Sequence, residues 1–210
     1  VPVADEGSFS TDEDINGSYT LTGNDGDPWS GATDDQSLTY TIVDDVSQGT
    51  LSLNTSTGSV TYDPDDNYNG SDSFTFTVTD DGTSNGTLDA LTSAAATVNI
   101  TVNAVNDAPV LSSISSQTTT EDTDMTVDLS GSDVDIATNG QSLTFTAVSV
   151  DESMVSVSIT DPGTSTATLN LDVQDDANGT VTVSVQVSDG NGGSANQDFT
   201  LTITEVNDVP

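Results

Sequence analysis

Internal repetition is the sequence feature that most constrains how this chain can fold. The pentapeptide pattern Val-Asn-Asp-x-Pro occupies residues 105–109 and returns at residues 206–210, and Val1-Pro2 matches its last two positions. Residues between these copies also match, as when Asn69-Gly70 aligns with Asn178-Gly179. A period of about 100 residues is the size of a whole domain. The sequence therefore predicts two homologous domains, residues 1–107 and 108–210.

Apolar residues alternate with threonine and serine in both copies. Residues 74–78, 98–102 and 181–187 show this period of two, and Asn-Gly and Asp-Gly pairs separate such runs. Alternation of this kind is typical of strands with one buried face, and no segment shows the period of an amphipathic helix. We therefore predict an all-β chain of two tandem immunoglobulin-like Greek-key β-sandwiches with about seven strands each.

The expected strands follow from these runs. In the first domain they cover residues 8–11, 18–22, 37–43, 50–53, 59–62, 73–79 and 95–103. In the second they cover residues 110–118, 125–129, 142–149, 154–160, 167–171, 180–188 and 196–204. The first domain has two additional loops, residues 28–36 and 83–92. The first of these loops holds the single tryptophan, Trp29, which either anchors the loop on the sandwich edge or stacks on a sugar ring.

The charge of the chain is entirely negative. There are 35 aspartate and glutamate residues and no lysine, arginine or histidine, for a formal charge of −35. Every carboxylate must therefore be solvated, hydrogen-bonded or bound to a cation, because no side-chain salt bridge can form. A nucleic-acid partner is excluded, since no side chain can neutralise phosphate. Membrane insertion is not expected either, because no apolar run is long enough to cross a bilayer.

The side chains that usually perform catalysis are absent. Without histidine, cysteine or lysine, the common activated nucleophiles and general bases are not available. A carboxylate pair could hydrolyse a glycoside, but the acidic residues recur in both domains, which suits a structural role better than one active site. We expect no enzymatic activity, and no disulfide bonds.

Several acidic motifs resemble those of cadherins. Gly131-Ser132-Asp133-Val134-Asp135, followed by Asn139-Gly140 and Leu143-Thr144-Phe145, resembles the cadherin pattern A-x-D-x-D, N-G, L-x-Y. Residues 105–109 resemble the cadherin linker D-x-N-D-N-A-P with one asparagine fewer. The block from Asp63 to Val78 is similar to the cadherin-like repeats of large bacterial surface adhesins. The resemblance covers the whole chain and implies a cadherin-like fold.

The resemblance also implies a calcium site where the two repeats join. The ligands carried over from the cadherin motifs are Glu13, Asp63 and either Asp65 or Asp66 of the first repeat, Asn106 and Asp107 of the linker, and Asp133, Asp135 and Asp189 of the second repeat. The carboxylate and amide oxygen atoms of these residues are ligands of the kind that Ca²⁺ prefers. The competing interpretation is that aspartate and asparagine simply favour turns.

Two incomplete copies of the site are expected to bind calcium weakly or not at all. One comprises Asp25, Asp27 and Asp80, and the other comprises Glu121, Asp172, Asp175 and Asp208. The resemblance thus implies an extracellular, calcium-rigidified extender of a bacterial cell-surface adhesin that serves cell adhesion or biofilm attachment, with calcium ions and adjacent repeats as partners. The alternative is a calcium-dependent module of a secreted protein that binds a polysaccharide or a cell-surface protein.

Overall fold

The structure is a computed structural model that describes residues 1–26, 36–84, 87–160 and 165–207. The chain divides into two compact units, Val1–Val105 and Asn106–Pro210. Both are built from strands, which confirms the predicted all-β class and the two tandem sandwiches. Trp29, most of its loop, Asp27 and Asp208 lie outside the described residues.

The first unit contains eleven strands in its described part. They are β1 (Val3–Ala4), β2 (Gly7–Asp12), β3 (Gly17–Thr20), β4 (Gly23–Asn24), β5 (Leu38–Asp44), β6 (Gly49–Leu53), β7 (Ser59–Pro64), β8 (Gly70–Asp80), β9 (Thr83–Ser84), β10 (Thr87–Leu88) and β11 (Ala96–Asn103). One sheet has the order β2-β11-β8-β5 and the other β3-β7-β6. Two short pairs, β1 with β4 and β9 with β10, add to this sandwich.

The core of the first unit lies between these two sheets. Phe74, Phe76 and Val78 point inward from β8, and Val60 and Tyr62 point inward from β7. The intervening residues of β8 are largely serine and threonine on the outer face. Alternation in the sequence therefore becomes burial on one face, and the hydrophobic effect holds the two layers together.

The second unit contains eight strands and one short helix in its described part. They are β12 (Val110–Leu111), β13 (Gln117–Thr120), β14 (Met125–Ser132), α1 (Ile136–Asn139), β15 (Thr144–Ser149), β16 (Val155–Thr160), β17 (Thr166–Val173), β18 (Gly179–Ser188) and β19 (Ser194–Thr204). The sheets have the orders β12-β14-β17-β16 and β13-β19-β18-β15. Buried Leu, Val and Phe side chains from both sheets form its core.

The first strand of the second unit differs from the prediction. Residues 110–118 were expected to form one strand, but β12 pairs antiparallel with β14 and β13 pairs parallel with β19. The chain thus crosses from one sheet to the other between Leu111 and Gln117, which lets a single edge segment serve both layers. In the first unit, β2 likewise pairs parallel with β11.

The four-residue helix α1 is a second difference, since no helix was predicted. It follows directly after Asp135 and ends at Gly140, whose φ of 72° is left-handed. Glycine adopts this conformation without the steric cost that a Cβ brings. A single helical turn has no amphipathic period, so the sequence pattern could not reveal it.

A buried carboxylate sits at the inward start of β8. Asp72 is 8% exposed and accepts hydrogen bonds from the backbone N–H groups of Ser47 at 3.1 Å, Gln48 at 2.9 Å and Ser73 at 2.8 Å. The hydroxyl of Tyr62 lies 3.1 Å from its Oδ2. Asp72, on β8, therefore binds both the turn between β5 and β6 and, through Tyr62, the central strand β7 of the other sheet.

Candidate metal centre

The second unit brings five of the predicted ligands together at one end of its sandwich. They are Asn106 and Asp107 at its start, Asp133 and Asp135 after β14, and Asp189 after β18. The chain enters this unit beside the two turns because β12 pairs with β14 immediately after Pro109. Residues far apart in sequence therefore meet at one edge.

Hydrogen bonds connect these residues in a continuous series. Asn106 Nδ2 donates to Asp189 Oδ2 at 2.8 Å, and the backbone N–H of Asp107 donates to Asp135 Oδ2 at 2.8 Å. The backbone N–H of Asp135 donates to Asp133 Oδ1 at 2.9 Å. Asp135 and Asp189 are both buried. The start of the unit and the two acidic turns are thus held in one local structure.

One carboxylate oxygen of this group has no partner. Asp133 Oδ2 is buried and accepts no hydrogen bond. A buried anionic oxygen without a partner carries a large desolvation cost, which a bound cation would remove. This oxygen is the feature of the second unit that best fits a metal ion.

Asp189 is fixed by donors on several sides. Besides Asn106, the backbone N–H groups of Asn191 and Gly193 donate to it, at 2.7 Å and 3.0 Å to Oδ1. The Asn106 amide, with these N–H groups, lowers the pKa of Asp189 below its usual value despite the opposing effect of desolvation. Asp189 therefore remains ionised to lower pH than an ordinary aspartate, as a metal ligand requires.

Gly193 closes one side of this group. A Cβ at this position would collide with Asp189 Oδ2 and would lie 2.9 Å from Ala108 Cα and 3.0 Å from the carbonyl oxygen of Asp107. Only glycine lets the turn after β18 approach the linker segment so closely. Gly193 is not part of any of the sequence motifs that predicted the site.

The predicted ligands of the first unit are arranged differently. Glu13 is buried, and its Oε1 accepts the backbone N–H of Val105 at 2.6 Å. Asn69 Nδ2 donates to its Oε2 at 3.3 Å. Asp63, near the end of β7, and Asp65, in the following turn, are exposed. The hydrogen bond from Asn69 therefore connects Glu13 to the turn that follows β7, in which Asp65 lies.

The geometry around Glu13 recurs in the second unit. Glu121 is buried and its Oε1 accepts the backbone N–H of Val206 at 2.6 Å. Each glutamate precedes an aspartate with positive φ, 58° at Asp14 and 59° at Asp122. Each also donates its own N–H to the last strand, Glu13 to Asn103 and Glu121 to Thr204. Both glutamates thus fix the chain where it leaves the sandwich.

We expect Glu121→Gln to loosen this exit. An amide oxygen accepts the Val206 N–H less strongly than a carboxylate, because charge-assisted hydrogen bonds are roughly twice as strong as neutral ones. Hydrogen exchange of the Val206 amide should accelerate, and the second unit should lose about 1 kcal/mol of unfolding free energy. Glu152→Gln, at an exposed position, is the control. An unchanged Val206 exchange rate would show that Glu121 does not hold the exit.

The incomplete copies of the site also differ from each other. Asp80 is buried and accepts the backbone N–H groups of Leu91 and Gly82. Asp172 is exposed and accepts the hydroxyl of Ser156 at 3.2 Å. Across residues 1–26, 36–84, 87–160 and 165–207, no three acidic side chains, those of Asp133, Asp135 and Asp189 included, are placed so that together they could hold a metal ion. In that same part of the chain, no helix is long and apolar enough to cross a membrane.

Two tandem all-β sandwiches, each with acidic turns at its end, define the chain as a pair of immunoglobulin-like repeats. The sequence profile of the bacterial Ig domain matches residues 1–101 and again residues 106–202. The chain belongs to the bacterial Ig domain family, in two tandem copies. Among curated proteins, no sequence matches it.

Solved structures with a similar fold are cadherin ectodomains. PcdhgB3 EC1-4 is 18% identical with a TM-score of 0.60, over 98% of this chain and 50% of that one. The extracellular cadherin domains 3-6 of protocadherin gamma B2 are 14% identical with a TM-score of 0.56, over 99% and 48%. Mouse cadherin-23 EC22-24 is 18% identical with a TM-score of 0.52, over 98% and 65%. The chain spans about half the length of the first two, and the likeness confirms the predicted cadherin-like fold.

Proposed function

We propose that the chain is a pair of calcium-binding repeats that act as a calcium-rigidified extender of a bacterial cell-surface adhesin. The observation that carries this proposal is the buried Oδ2 of Asp133, which accepts no hydrogen bond. Asp133 lies at the same edge of the second unit as the side-chain oxygen atoms of Asp135, Asp189, Asn106 and Asp107. These are hard oxygen donors of the kind that calcium takes in shells of about six to eight ligands. Membership of the bacterial Ig domain family supports the extracellular repeat role.

The charge of the chain favours a cation as the stabilising partner. With a formal charge of −35 and no basic side chain, the acidic turns repel one another wherever they approach. A divalent cation bound between acidic side chains removes the repulsion between them, which monovalent screening does only partly. Magnesium is a poorer fit, because it demands a small and nearly ideal octahedral shell.

We include Glu13, Asp63 and Asp65 of the first repeat in the proposed ligand set because the resemblance to cadherin motifs implies them. Calcium held by both repeats would restrict the few linker residues, since one ion then binds side chains on either side of the linker. An adhesin needs this stiffness to hold a binding domain away from the cell surface. Extracellular location on a bacterium and a role in adhesion or biofilm attachment are parts of the same proposal.

Small-angle scattering tests the rigid-extender role. We expect a narrow distribution of extended shapes in millimolar calcium and a broader distribution in chelator. Asp107→Ala should resemble the chelated protein even in calcium, because the linker segment loses its carboxylate, whereas Asp128→Ala on the exposed outer side of β14 should resemble the wild type. Superimposable profiles with and without calcium would contradict the extender role and favour a polysaccharide- or protein-binding module.

A further inference from the structure

An amide side chain that the sequence motifs do not contain takes part in the acidic site. Gln141 follows α1, and its Nε2 donates to Asn106 Oδ1 at 2.5 Å. Asn106 in turn donates through Nδ2 to Asp189 Oδ2 at 2.8 Å and to the carbonyl oxygen of Asp107 at 2.9 Å. Two amides are therefore connected in series to the carboxylate.

The chemistry of the neighbours fixes which way the Asn106 amide faces. Asp189 and the Asp107 carbonyl group present only acceptors, so the NH₂ end of the amide must point toward them. The oxygen end then points toward Gln141, whose NH₂ group is a donor. Reversing Asn106 would set an oxygen against a carboxylate and leave the Gln141 donor without its acceptor.

The NH₂ group of Asn106 thus lies between the Asp189 carboxylate and the Asp107 carbonyl oxygen. Its partial positive charge partly offsets the negative charge of Asp189, a task that a bound cation performs more strongly. A cation accepts only oxygen atoms from an amide. To act as a ligand through its side chain, Asn106 must therefore turn its Oδ1 toward the ion, and the hydrogen bond from Gln141 must break.

We propose that Asn106 and Gln141 form an amide clasp that stabilises the cation-free site, and that Gln141 lowers cation affinity by competing for Asn106 Oδ1. Gln141 is then a positioning residue that acts through Asn106. The affinity part of this inference rests on the proposed calcium function. The stabilising part concerns the cation-free protein alone.

Gln141→Met in the full 210-residue chain tests the clasp, with Gln186→Met on an exposed position of β18 as the matched control. In chelator the second unit of Gln141→Met should unfold at a lower temperature than that of the control. Calcium should bind about two- to tenfold more tightly, because one neutral hydrogen bond no longer opposes the turning of Asn106. Calcium affinity that is unchanged or weaker would overturn the proposal, because a residue that only supports the loop gives that result.

A double-mutant cycle shows whether Gln141 acts through Asn106. Asn106→Leu removes the amide, so Gln141→Met should cause no further rise in calcium affinity in that background. A rise of the same size in both backgrounds would mean that Gln141 acts by another route and would overturn the clasp.

Side-chain NMR of the unmodified protein gives a measurement that needs no folded variant. The NH₂ protons of Asn106 and Gln141 should exchange slowly in chelator and faster in calcium. Equal exchange in the two states would overturn the clasp. If calcium does not bind at all, the proposed function fails, while slow exchange in chelator and the lower stability of Gln141→Met there still decide whether the clasp exists.

Discussion

Calcium should raise the free energy of unfolding of the chain by about 2.7 kcal/mol when its free concentration is a hundred times the dissociation constant. The gain arises because only the folded chain brings Asp133, Asp135 and Asp189 together. Thermal or chemical unfolding in calcium and in chelator, at matched ionic strength, measures it. Magnesium at the same concentration should give a smaller increase.

The variant Asp133→Asn distinguishes stabilisation by a bound calcium ion from stabilisation by general screening of charge. This variant removes the buried anionic oxygen that has no partner, so its stability in chelator should equal or exceed that of the wild type. Its gain from calcium should be much smaller, because a ligand charge is lost. Asp128→Asn on the outer face of β14 is the control and should keep the full gain. Equal gains in all three proteins would show that calcium acts by screening alone.

Asp72→Ala should destabilise the first unit by roughly 3 kcal/mol, since hydrogen bonds to a buried charge are worth about 1.5–3 kcal/mol and their donors are left unpaired. Those donors are the backbone N–H groups of Ser47 and Gln48 and the Tyr62 hydroxyl. The second unit, whose β18 has Val181 at the third position where β8 has Asp72, should keep its stability. Unfolding of both units followed by hydrogen exchange measures the difference.

Ionisation of Asp72 also makes the stability of the first unit depend on pH, and the direction of this dependence follows from its pKa. Burial opposes ionisation of Asp72, but hydrogen bonds from Ser47, Gln48, Ser73 and Tyr62 outweigh it and lower its pKa. The stabilisation is therefore fully present above the unfolded pKa, about 3.9, and is lost as the pH falls below it. Burial and the Asp72 charge also raise the pKa of Tyr62, so the phenol stays a donor throughout this range.

Asp72→Asn isolates this contribution from the other carboxylates. Because it cannot ionise, the stability difference between wild type and Asp72→Asn should shrink as the pH falls below about 4. A difference that stays constant across that range would contradict the ionised state of Asp72. Wild type and variant share the remaining carboxylates, so their titration cancels in the comparison.

The alternation of apolar and hydroxyl residues predicted the longer strands because each of them has one buried face. It did not predict the two-residue strands β1, β4, β9 and β10, of which β9 and β10 lie in the predicted loop 83–92. The pattern could not predict the parallel pairing of β2 with β11 or of β13 with β19. Alternation is the same for either direction of the partner strand. It also failed at residues 110–118, where the crossing between sheets leaves no mark on the apolar pattern.

For the candidate site, sequence motifs predicted the residues that the second unit brings together. Asp133 and Asp135 share one turn, and Asn106 and Asp189 lie beside it because β12 begins, and β18 ends, at that edge. Gln141 could not be predicted, since its contact with Asn106 depends on the turn that α1 and Gly140 make. The burial of Asp72 could not be predicted either, because a carboxylate on the inward face of a strand contradicts the apolar pattern that identifies the strand.

An anomalous difference map from crystals grown in calcium tests the central claim most directly. We expect a calcium peak about 2.3–2.6 Å from Asp133 Oδ2, with further oxygen ligands from Asp135, Asp189 and the side chain of Asn106. We also expect that the hydrogen bond between Gln141 Nε2 and Asn106 Oδ1 is broken in this crystal. A map with no peak beside Asp133 in millimolar calcium, and with the Asn106 amide still facing Asp189 through Nδ2, would contradict that claim.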